Sequence, residues 1–70
     1  MAILYVLIDE TGLSTVMLFD LLGRKLRELR VNGEGRVHGL LDVSALQTGM
    51  YLLIVHNRDA TSMGKVVIAR

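Results

Sequence analysis

The chain has 70 residues, no cysteine and a formal net charge of +1, which excludes a disulfide framework, a thiolate metal site and a strongly basic surface for nucleic acid. Residues 1–70 are expected to form one small domain, and such a chain buries only about 60% of the surface that its unfolded form exposes. With 51% hydrophobic residues, it is expected to rely on a partner or a parent chain to cover part of its apolar surface.

The first part of the sequence predicts two strands joined by a turn. "AILYVLI", residues 2–8, is apolar, and "DETG", residues 9–12, suits a type I turn. "LSTVMLF", residues 13–19, predicts a strand with both faces at least half buried. No apolar run approaches the roughly 20 residues that span a bilayer. The start lacks the basic residues of a secretory signal.

The segment "FDLLGRKLREL", residues 19–29, has the spacing of an amphipathic helix. Leu22, Leu26 and Leu29 would lie on one stripe, with basic residues around the rest. Such a helix would dock on a membrane or a partner protein. It would, however, carry Gly23 near its start, which costs about 1 kcal/mol relative to alanine.

A hairpin fits the same segment better. Asp20 suits the first position of a tight turn and Gly23 the fourth, and residues 24–31 would return as a strand. On a regular strand, Leu26 and Leu29 would point to opposite faces. The hairpin therefore predicts either a β-bulge or burial on both faces of this strand.

The second half of the sequence predicts further strands. "NGEG", residues 32–35, contains the Asn-Gly pair typical of hairpins. "MYLLIV", residues 50–55, is apolar on both sides and predicts a central strand. The polar segment 56–62 predicts a link, and "KVVIA", residues 65–69, a last strand. We expect an all-β fold, an immunoglobulin-like antiparallel β-sandwich of about six short strands.

The segment "LDVSALQTG" before the central strand predicts a short helical turn. Asp42 or Ser44 would accept hydrogen bonds from backbone amides, and Leu46 would fill the core. Gly49 would adopt a positive φ before the next strand. Tyr51 would bury its ring while its hydroxyl bonds to the backbone or to solvent. These roles are all structural.

Residues with catalytic or metal-binding chemistry are scattered along the chain. His38 and His56 have no recognisable ligand spacing, the serines lack the context of a catalytic nucleophile, and the carboxylates are distributed over turns. We expect no enzyme, no cofactor and no metal site.

Three blocks of the sequence follow the order and spacing of a known family. They are "LFDLLGRKL" at 18–26, "LDVSALQTGMYLLIV" at 41–55 and "GKVVIAR" at 64–70. In these blocks the chain resembles the C-terminal sorting domain of proteins exported by the type IX secretion system. The matching positions are Asp20, Gly23, Arg24, Asp42, Val43, Ser44, Leu46, Gly49, Tyr51 and Lys65.

The resemblance implies a non-catalytic module that directs an N-terminal passenger through the outer membrane. Its implied partners are the outer-membrane export machinery and a surface peptidase, and its route leads through the periplasm to the cell surface or beyond. Arg24, Lys65 and Val67 are the candidates for contact with the machinery.

The family usually begins with a strand carrying a Pro-Asn-Pro motif, and this sequence has no proline. The resemblance therefore implies a domain without its first strand. A sheet edge left unpaired in this way would allow a homodimer or a domain swap.

The alternative is an immunoglobulin-like accessory domain for adhesion or carbohydrate binding. It would expose aromatic side chains on one sheet face or in one cluster of loops. The sequence places Tyr5, Phe19 and Tyr51 within apolar strands, so the sorting module is the favoured hypothesis.

Overall fold

A computed structural model describes residues 2–9, 12–33, 35–58 and 60–69. These ranges form six β-strands, with no helix among them, and accordingly no helix that could cross a membrane. The strands are β1 (Ile3–Asp9), β2 (Gly12–Phe19), β3 (Lys25–Gly33), β4 (Arg36–Asp42), β5 (Gly49–Asn57) and β6 (Ala60–Ile68). The all-β prediction is confirmed, and the amphipathic helix through residues 19–29 is wrong.

The strands form two antiparallel sheets with one apolar core. One sheet pairs β1 with β4, and the other has the order β3-β2-β5-β6. Alternate residues of both sheets point into the core, where Val16 and Leu18 of β2 are completely buried. Burial of such a side chain stabilises the fold by about 1.5–3 kcal/mol. The other buried apolar residues are Val6, Ile8, Leu41, Val43, Tyr51 and Ile68.

A β-bulge in β3 resolves the problem of its two leucines. The register between β2 and β3 shifts at Leu18 and Phe19, which leaves Leu26 without a partner residue on β2. Leu26 and Leu29 both pack against the core as a result. The predicted hairpin is confirmed, and of the two alternatives for its return strand the β-bulge is the one observed.

The predicted hairpin at residues 32–35 is wrong, because β3 and β4 belong to different sheets. Gly33 is the last residue of β3, and Gly35 has a φ of 91° where the chain turns toward β4. A Cβ atom at Gly33 would lie 2.6 Å from Cγ1 of Val37. The glycine therefore permits a close approach between consecutive strands of different sheets. Asn-Gly usually marks a two-residue hairpin, but here it lies at the end of β3, before a connection to a strand of the other sheet.

The turn predicted at residues 9–12 lies partly outside the described residues, which omit positions 10 and 11. It connects β1 of one sheet with β2 of the other. Gly12 has a φ of 99° at the start of β2.

The polar link predicted at residues 56–62 is also wrong. β5 extends to Asn57, which pairs with Ala60 at the start of β6. Polar side chains are accommodated in this hairpin by pairing: His56 Nδ1 lies 2.8 Å from Thr61 Oγ1, and the buried Asn57 donates a 3.0 Å hydrogen bond to Ser14 Oγ. The prediction of a central strand is confirmed, since β5 lies between β2 and β6.

Candidate functional site

The Asp20 turn is held by a dense set of local hydrogen bonds. The Asp20 carbonyl accepts the Gly23 amide at 3.1 Å, and its Oδ1 accepts the amides of Leu22 and Arg24 at 2.9 Å each. Arg24 Nε donates to Oδ2 at 2.6 Å. Gly23 has a φ of 88°, a conformation that glycine adopts without a steric penalty. The predicted roles of Asp20 and Gly23 in the turn are confirmed.

These contacts also set the electrostatics of the turn. The Arg24 amide and guanidinium, together with the Leu22 amide, hold the pKa of Asp20 below its ordinary value of 3.8. The Arg24 side chain remains 72% exposed. The turn thus presents a guanidinium whose position is fixed by a buttressing carboxylate.

The Asp42 loop, residues 42–48, ties the second motif block to the residue that precedes β1. Asp42 Oδ1 accepts the Ser44 amide at 2.9 Å, and Ser44 Oγ accepts the Ala2 amide at 2.9 Å. The Val43 amide donates to the Ala2 carbonyl at 3.0 Å. Hydrogen bonds from the Ser44 side chain and amide lower the pKa of Asp42. Asp42 accepts an amide of its own loop, as predicted, whereas Ser44 accepts the amide of the distant Ala2 and so ties the loop to the start of the chain.

The next motif residues are mostly placed as predicted. Leu46 packs against the core, and the buried Tyr51 donates a 2.6 Å hydrogen bond from its hydroxyl to the Gln47 carbonyl. The positive φ predicted for Gly49 is wrong, because Gly49 already forms the first residue of β5. Hydrogen bonds to the carbonyls of Val43 and Gln47 hold the loop, so the strand begins in an extended conformation.

A surface groove of about 390 Å³ lies between the Asp20 turn and the Asp42 loop. Arg24 lines it together with the apolar side chains of Leu26, Leu46 and Tyr51. The fold thus brings two motif blocks together that are distant in sequence. Asp42 and Ser44 are not among its lining residues.

Lys65 and Val67 lie on a different surface. Both are on β6, where Lys65 is opposite Leu52 and Val67 is opposite Met50 of β5. Val67 is 68% exposed, whereas the next residue, Ile68, is buried in the core. The candidates Arg24, Lys65 and Val67 therefore divide between the groove and the outer side of the four-stranded sheet.

Two features of this region were not predicted from the sequence. Arg27 donates from Nε to the Asp42 carbonyl at 2.9 Å and so links β3 to β4 across the two sheets. The side of the four-stranded sheet that points away from the core, here called the outer face, carries apolar side chains on β2, β5 and β6, among them the exposed Met63. The alternating apolar residues of β2 and β5 indicated an apolar outer face. The polar residues at 56–62, however, concealed the first half of β6.

In the described part of the chain, no group of three or more His, Cys, Asp or Glu side chains could hold a metal ion. His38 belongs to the two-stranded sheet and His56 to the four-stranded sheet. The carboxylates of Asp20 and Asp42 are each bonded to amides of their own turn.

The family model described as the secretion system C-terminal sorting domain matches residues 2–69. No curated protein and no solved structure matches the chain significantly.

Proposed function

The chain belongs to the family of secretion system C-terminal sorting domains, and from this premise we propose that the export machinery reads the surface of the folded sandwich. As a member of this family, the chain is a C-terminal sorting signal for type IX secretion. It serves an N-terminal passenger and the secretion machinery, and the passenger is destined for the cell surface or the extracellular space. The family match over residues 2–69 is the observation that carries this function.

We propose that the domain acts without catalysis. The motif residues supply turn geometry and core packing: Asp20 and Asp42 accept backbone amides, Leu46 packs on the core and Tyr51 bonds to the backbone. A recognition signal needs this kind of rigid scaffold, because a surface that is already ordered loses less conformational entropy on binding.

We further propose that Arg24, Lys65 and Val67 contact the machinery. The carboxylate of Asp20 restrains the Arg24 side chain, so its exposed guanidinium is presented in one place. Lys65 and Val67 project from an edge strand, where an approaching partner meets few obstacles. Passage through the periplasm and release by a surface peptidase complete the proposed route.

A secretion assay tests this function. Residues 2–70 are fused to the C-terminus of a reporter that is directed to the periplasm of a host with type IX secretion. We expect the reporter at the cell surface or in the medium, and we expect it to stay in the periplasm when the domain is omitted or the host lacks the secretion system. A folded fusion that remains in the periplasm would contradict the proposal.

The accessory-domain alternative has weaker support. Of the aromatic side chains, Tyr5 is exposed, Phe19 is half-buried and Tyr51 is buried in the core. One exposed aromatic ring does not form the platform on which a sugar would stack.

A further inference from the structure

The outer face of the four-stranded sheet carries a continuous apolar patch. The strand registers place its residues in rows: Met17 of β2 opposite Ile54 of β5, and Ile54 opposite Met63 of β6. In the next row, Phe19 of β2 lies opposite Leu52 of β5. A third row pairs Met50, near the start of β5, with Val67, near the end of β6. The patch is defined as these residues: Met17, Phe19, Met50, Leu52, Ile54, Met63 and Val67.

The patch is accessible and adaptable. Met63 is 67% exposed and Val67 68% exposed, and both lie on the edge strand β6. The sequence has 4 methionines, and Met17, Met50 and Met63 all belong to the patch. Methionine side chains are flexible and polarisable, so they adapt to the shape of a partner surface. Contiguous exposed apolar patches of this kind mark interaction sites.

Positive charge borders the patch. The row of Phe19 and Leu52 ends in Lys25 on β3 and in Lys65 on β6. Glu28 is opposite Met17 and already binds Lys25 at 2.9 Å. Lys65 has no ion pair within the described residues. The border therefore carries an excess of positive charge.

We propose that the patch docks on an apolar surface of a protein in the export machinery that carries carboxylates at its rim. Lys65 belongs to none of the ion pairs of the described residues, so one of these carboxylates is expected opposite it. The patch covers on the order of 300 Å², which suits a transient contact that releases its cargo. This inference rests on the proposed sorting function and extends the contact from Lys65 and Val67 across β5 to β2.

The charge pattern argues for this occupant over two others. A second copy of the chain would bring two positively charged borders together, which repel each other. An anionic membrane would satisfy the charges, but Phe19, Leu52 and Ile54 are half-buried and do not project as membrane-inserting side chains do. A protein surface can contact such half-buried side chains together with the exposed ones.

The secretion assay with matched variants tests the patch. Met63→Glu places a carboxylate on the patch and Lys65→Glu reverses the border charge, while Leu40→Glu introduces the same charge at a 52% exposed position of the two-stranded sheet. We expect at least a tenfold loss of export for the first two and less than a twofold change for Leu40→Glu. Circular dichroism and urea unfolding verify that each variant folds. Should Met63→Glu itself unfold, Met63→Ser, which removes the apolar contact without adding charge, takes its place in the assay.

The outcomes separate the two proposals. If the unaltered domain exports the reporter and the folded patch variants do so equally well, the docking role of the patch is overturned and the sorting function stands. If the unaltered domain exports nothing, both fall. Flotation with phosphatidylglycerol vesicles tests a membrane as the occupant, and sedimentation velocity tests a second copy of the chain. Vesicle binding or dimerisation that Met63→Glu abolishes would overturn a protein of the machinery as the occupant, whereas a monomer that ignores the vesicles supports it.

Discussion

The Asp20 carboxylate shows how a single side chain organises a turn. It accepts two backbone amides through Oδ1 and the Arg24 guanidinium through Oδ2, so the charged form is bound by the folded state. The Ser44 hydrogen bonds act in the same way on Asp42, and the Lys25 ammonium does so on Glu28. In all three cases the folded state lowers the pKa of the carboxyl group.

Acid is therefore expected to destabilise the fold in a defined range. A group whose pKa is lower in the folded state stabilises the fold fully above its unfolded pKa, and this contribution is lost as the pH falls through the folded pKa. The ordinary values are 3.8 for Asp and 4.5 for Glu. The free energy of unfolding, measured with urea, should thus be level above about pH 5.5 and should fall as the pH is lowered below these values, toward the lower pKa values of the folded state.

Asp20→Asn tests the assignment at one residue. The variant cannot ionise, so it should be less stable than the wild type at pH 7 and should lose less stability on acidification. The stability difference between the two proteins is expected to narrow as the pH falls below 3.8, because the contribution of the carboxylate is lost as the pH falls through its lowered folded-state pKa. An unchanged pH dependence in Asp20→Asn would show that this carboxylate does not contribute to the acid transition.

Strands and connections add constraints that single residues do not reveal. The connection between β3 and β4 passes from one sheet to the other, and its geometry depends on the closeness of Gly33 to Val37. The isopropyl group of valine is stiff, so it cannot move aside cheaply. Strand glycines in this fold therefore differ in what they tolerate.

Gly33→Ala is expected to lower the free energy of unfolding by about 1–3 kcal/mol, because the new methyl group overlaps Val37. Gly64 is the matched control, since a Cβ there meets nothing within 4 Å. Gly64→Ala should be neutral or stabilising by up to about 1 kcal/mol. In a Val37→Ala background the cost of Gly33→Ala should shrink, which urea unfolding of the double mutant measures. Equal costs in both backgrounds would rule out the steric explanation.

The same distinction explains what the sequence could predict. The Asp20 turn was predictable because its determinants lie within five consecutive residues, Asp20 to Arg24. The bulge was predictable because Leu26 and Leu29 both needed the core. The sheet to which β4 belongs was not predictable, because the Asn32-Gly33 pattern reports local backbone geometry, whereas strand pairing depends on distant parts of the chain. The start of β6 was hidden because its polar residues lie on an exposed edge strand, where pairing with β5 satisfies the backbone.

At the scale of the whole molecule, pairing between distant parts of the chain dominates. β1 pairs with β4, with Ile3 opposite Asp42, and β2 pairs with β5, with Ser14 opposite Asn57. The Ala2 hydrogen bond to Ser44 adds a further link of this kind. In folds of this topology, the entropic cost of closing long loops is incurred before the contacts between distant strands form. Such proteins therefore fold in milliseconds to seconds.

Refolding from urea should be slow for a chain of this length, but it should lack the very slow phases that proline or disulfide isomerisation causes. The sequence has neither proline nor cysteine, so neither prolyl isomerisation, which takes about 10–100 s, nor disulfide exchange can limit the rate. Stopped-flow refolding is expected to give one exponential phase, unchanged by the time spent unfolded in a double-jump experiment. A phase of tens of seconds whose amplitude grows with that delay would contradict this expectation.

The outer face has a consequence for when the cargo can be recognised. Its rows unite residues 17–19, 50–54 and 63–67, which become neighbours only when β2, β5 and β6 have assembled. A receptor that binds this face therefore binds only a folded domain. Incompletely synthesised or misfolded cargo would lack the assembled surface and would not be bound. The sorting signal would in this way also select for cargo whose last domain is complete and folded.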